Sequence, residues 1–165
     1  MKNEKGLHPE NFTLSLALVD AVPVILFSIS CVYLYHFFHS TLFLIGAILA
    51  ALAGCGKVLW KILVAAADKN IHLLNRQMRV LMPAGFFLML LSLIIDRRLI
   101  DGGAMWHAIS SFPSVIFFAL FVLGMAAMGV LGKKMDSNKV SSNWIEQCTN
   151  GVAQLCLLIA LLCIR

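Results

Sequence analysis

The chain has 165 residues, 61% of them hydrophobic and only 13% charged, with a mean hydropathy of +0.90. A soluble domain needs more charge than this to cover its surface. The formal charge of +5 is therefore read loop by loop as membrane topology, and not as a footprint for nucleic acid.

The opening segment, Met1 to Glu10, mixes Lys2, Lys5, Glu4 and Glu10. The apolar block behind it is too long for a signal-peptide core and lacks a clear small-residue cleavage site, so it reads as a retained spanning helix. Five spans are expected, at about 12–38, 41–67, 80–96, 106–131 and 144–164, each with about twenty apolar residues to match a hydrocarbon core of about 30 Å. The first carries Asp20 and then Pro23, which removes a backbone donor and can kink the helix one turn past the carboxyl. Tyr33 and Tyr35 suit the interfacial belt, and His36 and His39 close the span.

The second span has a small-residue face, Gly46, Ala50, Ala53 and Gly54, fit for close helix contact within the chain or between copies. Lys57, Trp60 and Lys61 mark its far end. Asp68-Lys69-Asn70 reads as a turn, and Ile71 to Arg79 as a short surface helix with Arg76 and Arg79 near headgroups. The third span has Pro83 in its first turn, where proline is tolerated, and Gly85, Met89, Ser92 and Asp96 on one side. Asp101-Gly102-Gly103 is a turn. The fourth span carries Ser110, Ser111, Pro113 and Ser114 in its first half, and Gly124, Ala127 and Gly129 thin its second half. Lys133 to Ser142 reads as a polar loop.

The last span is the most informative. Glu146, Asn150 and Gln154 recur every fourth residue, and residues four apart stack on one helix face. Lipid cannot satisfy these groups, so the stripe faces protein, water or a ligand.

The expected architecture is thus an all-α, polytopic bundle of five transmembrane helices forming one domain over residues 1–165. Spanning strands are excluded because the apolar runs do not alternate. Five spans place the termini on opposite sides, and the basic residues then sort. Lys2, Lys5, Lys57, Lys61, Lys69, Arg76, Arg79, Lys133, Lys134 and Lys139 fall on one side; Arg97, Arg98 and Arg165 fall on the other. This asymmetry puts the N-terminus in the cytoplasm and the C-terminus outside, in the cytoplasmic membrane.

With that orientation Asp20 lies about 12 Å below the cytoplasmic rim, at about 1.5 Å per residue. Lys57, Glu146, Asn150 and Gln154 reach similar depths from helices two and five. An ionised side chain near the bilayer centre costs about 3 kcal/mol unless paired or hydrated. Asp20, Lys57, Glu146, Asn150 and Gln154 are therefore the candidate ligand-binding residues of a polar cavity. The structural alternative has Lys57 snorkelling to the headgroups, Glu146 acting as a helix N-terminal anion, and the two amides holding helices together.

Toward the outside, His36, His39, Asp96, Asp101 and His107 form a second cluster. Histidines three apart can share a metal, with Asp96 and His107 completing the shell. The competing reading pairs Asp96 with Arg97 and Arg98 and leaves no metal site. Met78, Met82, Met125 and Met128 have helical spacing that suits either packing or a soft-metal path. Five cysteines in apolar blocks, without a C-x-x-C pair, read as small buried residues.

No G-x-S-x-G, H-E-x-x-H or P-loop motif occurs, and no cofactor is indicated. The leading functional expectation is a small, non-enzymatic membrane protein that binds or moves a small polar or amphipathic solute. Its cavity lies between helices one, two and five, and the expected partners are the bilayer, a small-molecule or lipid ligand, and either a second copy or a membrane partner subunit. The alternatives are an integral-membrane enzyme acting on a lipid or isoprenoid substrate at the cytoplasmic leaflet, and an accessory or scaffold subunit whose polar stripe meets a partner helix.

Overall fold

The structure is a computed structural model that describes residues 13–67, 71–135 and 140–164. The N-terminal segment Met1 to Glu10, the Asp68-Lys69-Asn70 turn, Lys139 and Arg165 lie outside the described residues. The described residues form six helices: α1 (Leu14–Phe38), α2 (Thr41–Ala67), α3 (His72–Ile95), α4 (Gly102–Ser110), α5 (Ser114–Lys134) and α6 (Val140–Leu162). Five of them, all but α4, are long and apolar enough to cross a membrane.

Three boundaries differ from the sequence reading. The stretch 71–79 is not a separate surface helix but the first two turns of α3, because nothing between His72 and Pro83 breaks the backbone ladder. Pro83 consequently sits inside a helix and not in its first turn. The fourth span is divided into α4 and α5 at Ser111, Phe112 and Pro113. Pro113 has no N–H to continue the ladder, and the residue before a proline is driven out of the α region. Side chains close both ends of α4: Asp101 accepts from the Ala104 amide at 2.9 Å, and the Ser111 hydroxyl donates to the Ala108 carbonyl at 2.8 Å. Third, the expected loop 133–142 shrinks, since α5 runs through Lys134 and α6 begins at Val140.

The helices pack in the spatial order α3, α2, α1, α6, α5, with α4 touching α1, α5 and α6. Helix α1 is the middle of this arc. It buries Leu16, Ala17, Asp20, Pro23, Ser30 and Cys31 toward its neighbours. Its opposite stripe, Leu18, Val22, Ile25, Ile29 and Val32, is apolar and exposed. The two ends of the arc, α3 and α5, do not pack against each other.

Small residues set the helix spacing. A Cβ on Gly46 would stand 2.6 Å from the Gly85 carbonyl oxygen, and one on Gly85 would stand 2.6 Å from that of Gly46. Backbone meets backbone at this α2–α3 crossing, where only glycine fits. Gly54 receives the Val24 side chain of α1, whose Cγ2 would stand 2.9 Å from an added Cβ. The small-residue face of α2 is therefore filled from within, which removes Gly46, Ala50 and Gly54 as a contact between copies.

Polar contacts clamp one end of the bundle. The Ser40 hydroxyl accepts from the Phe43 amide at 3.0 Å, capping α2, and donates to the Asp96 carboxylate at the end of α3. The Asp101 amide donates to the Phe37 carbonyl at 3.2 Å. Between α5 and α6, the buried Ser114 hydroxyl donates to the Ala160 carbonyl at 2.9 Å.

Candidate functional site

Asp20 sits on the buried face of α1, one turn before Pro23. Lys61 comes from α2, and its Nζ lies 3.0 Å from Asp20 Oδ2, with the side chains 2% and 4% exposed. Lys61 is thus not a marker of the helix end, as its place beside Trp60 suggested, but the buried counter-ion of Asp20. The i, i+4 spacing of Lys57 and Lys61 brings both to the same side of α2. Lys57 and Glu146 also stand near enough to Lys61 to act on its charge.

Beside this ion pair is a cavity of about 260 Å³, lined by Asp20, Lys57, Glu146, Gln147, Asn150 and Gln154 on its polar side. All five residues singled out from the sequence border it. The structure adds Gln147, and it extends the buried polar side of α6 to Asn143, Gln147 and Gln154. With half-buried Asn150 these residues follow steps of four, three and four, the true repeat of a packed helix face. A strict step of four selects Glu146 and passes over Gln147 and Asn143.

Because α6 starts at Val140, Glu146 lies beyond the first helical turn, which contains no acid. The reading of Glu146 as a helix N-terminal anion is thereby excluded.

The remaining wall is apolar and polarisable: Pro23, Val24 and Phe27 of α1, Met78, Met82 and Phe86 of α3, and Met125 and Met128 of α5. Phe27 and Phe86 pack at a ring separation of 5.8 Å. All four methionines with helical spacing thus border the cavity. Met side chains are flexible and fill irregular, adaptable surfaces.

Gln154 joins the two halves. It is 7% exposed, and its Nε2 reaches the Met125 sulfur, at 3.8 Å, a weak acceptor. Its Oε1 is buried with no hydrogen-bond partner among the described residues. A buried amide oxygen left unpaired costs about 1–3 kcal/mol.

The outer cluster does not gather into a metal site. His36, His39 and His107 are exposed, Asp96 accepts from Ser40, and Asp101 caps α4. Among the described residues no three His, Cys, Asp or Glu side chains come together to hold a metal ion. The five cysteines are free thiols, and of them only Cys31 is fully buried; Cys55 and Cys148 are exposed. Comparison with family models, with curated proteins and with solved structures finds no match.

Proposed function

We propose that this chain is an integral membrane protein of the cytoplasmic membrane that binds, and moves across the bilayer, a small polar or amphipathic solute. The solute occupies the cavity between α1, α2 and α6. The observation that carries this reading is the polar wall itself. Asp20, Lys57, Glu146, Gln147, Asn150 and Gln154 converge from three helices on one cavity, and one of them keeps an unpaired buried oxygen. A merely structural polar cluster would satisfy its own members. This one instead borders a space large enough for a ligand.

In this reading the Asp20–Lys61 pair holds α1 against α2 and sets the local field. Asn150 and Gln154 supply the hydrogen bonds, and Glu146 and Lys57 flank the ligand with opposite charges. The N-terminus is cytoplasmic. With Lys57 and Lys61 assigned to the interior, Lys2, Lys5, Lys69, Arg76, Arg79, Lys133, Lys134 and Lys139 still outweigh Arg97, Arg98 and Arg165, which keeps that orientation.

The test is a panel of radiolabelled polar and amphipathic solutes offered to proteoliposomes. Asp20→Asn loses binding and uptake of whichever solute the intact protein takes. The Asp20→Asn/Lys61→Met double variant, which leaves no stranded charge, serves as the folded control and also fails to transport. Full uptake by Asp20→Asn contradicts the proposal.

A further inference from the structure

Building on the cavity as a binding site, we infer that its ligand is a single-chain amphiphile with an uncharged hydroxyl or amide head, admitted sideways from the bilayer between α3 and α5. Three observations converge on this. First, the arc of helices is open at its ends: α3 packs on α2, α5 packs on α4 and α6, and α3 and α5 do not pack on each other. Yet both border the cavity, through Met78, Met82 and Phe86 on one side and Met125 and Met128 on the other. The opening therefore faces the surroundings of the bundle and has flexible apolar edges, which suit a hydrocarbon chain and not a hydrated solute.

Second, the polar wall selects the head. Asp20 and Glu146 balance Lys57 and Lys61, and Asp20 is already engaged by Lys61 at 3.0 Å. A head with net charge would leave an uncompensated ion in a poorly hydrated site. The uncharged members of the wall, Gln147, Asn150 and Gln154, carry amides that both donate and accept, which suits a hydroxyl or amide head.

Third, size limits what fits. About 260 Å³ is at the small end of ligand pockets, room for a head and the start of one chain. A longer chain leaves through the α3–α5 opening.

The test uses the full chain in phosphatidylcholine vesicles with a monoacylglycerol bearing a photoactivatable diazirine in its chain, followed by peptide mapping. Labelling is expected at Met78, Met82, Met125 or Met128. Unlabelled monoacylglycerol displaces it, whereas the fatty acid or alkylamine of equal chain length does so at least about tenfold less well. Gln154→Leu weakens displacement about tenfold. Met82→Trp/Met125→Trp, which fills the edges, does the same, and Leu18→Trp on the outer stripe does not. Each variant is checked by its thermal midpoint in detergent, so that loss of labelling is not loss of fold. Non-displaceable labelling confined to Leu18, Val22 and Ile25 overturns the inference, as does equal displacement by the charged analogues. If a chainless solute from the panel still depends on Asp20 while the monoacylglycerol never labels the cavity, the sideways amphiphile fails and the solute site stands. If Asp20→Asn changes nothing for any solute as well, both fail.

Discussion

Asp20 and Lys61 make opposite demands on single and double substitution. Removing one partner of a buried ion pair strands the other charge and costs about 3–5 kcal/mol, whereas replacing both with apolar residues of similar volume is close to neutral. Lys61→Met alone should lower the thermal midpoint in detergent sharply, and Asp20→Leu/Lys61→Met should restore most of it. Equal midpoints for all three would mean that the 3.0 Å pair does not form. Gln154 behaves in the reverse sense. Its Oε1 has no partner to lose, so Gln154→Leu should leave stability unchanged or raise it while weakening ligand binding. A midpoint that falls by several degrees would assign Gln154 to packing. At this scale Asp20 and the α6 amides were legible, because carboxyl and amide groups inside an apolar run must turn inward. Lys61 was not legible. A lysine beside Trp60 near the end of a long apolar run looks like an interfacial anchor until the neighbouring helix shows what it touches.

At the scale of the element, the α2–α3 crossing is the sharpest case. A methyl on Gly85 would meet the Gly46 carbonyl oxygen at 2.6 Å and the Ala50 amide nitrogen at 2.8 Å, both backbone atoms that move only with their helix. Gly85→Ala should therefore destabilise by about 1–3 kcal/mol, the range for overpacking. Gly129→Ala in α5, with open space around it, should be neutral or mildly stabilising, since alanine is the better helix former. Thermal unfolding of the two variants under one detergent condition checks the contrast, and similar midpoints would place α3 away from α2. The small-residue face of α2 was readable as a contact surface, but its partner was not, because Gly46, Ala50 and Gly54 carry no mark that separates α1 and α3 from a second copy. The prolines show the same limit. Pro23 and Pro83 are carried inside α1 and α3 while Pro113 ends a helix. Neighbouring helices and side chains can re-satisfy a freed carbonyl in a membrane helix, so the local rule alone does not choose. The two serines before Phe112-Pro113 were the sequence hint at the break.

For the whole molecule, composition and the length of the apolar runs carried the class: five helices are long and apolar enough to cross a membrane. Their spatial order was not readable, because apolar helices of similar composition can be arranged in many ways. The position of α1 in the middle of the arc, and the opening between α3 and α5, come from packing alone. The proposed orientation is testable directly. Single cysteines in a chain freed of its native thiols should be labelled by a membrane-impermeant reagent from outside at residues 97–99, and from the cytoplasm at residues 135–140. The opposite pattern would invert the topology and place Glu146 toward the outer face. The most direct measurement of the central claim is an experimental structure of the protein in lipid nanodiscs, with attention to the space between Asp20, Asn150 and Gln154. The account predicts non-protein density there, within hydrogen-bonding distance of the Gln154 amide. A closed interface, with Asn150 and Gln154 bonded to neighbouring helices and no space between α1 and α6, would contradict it.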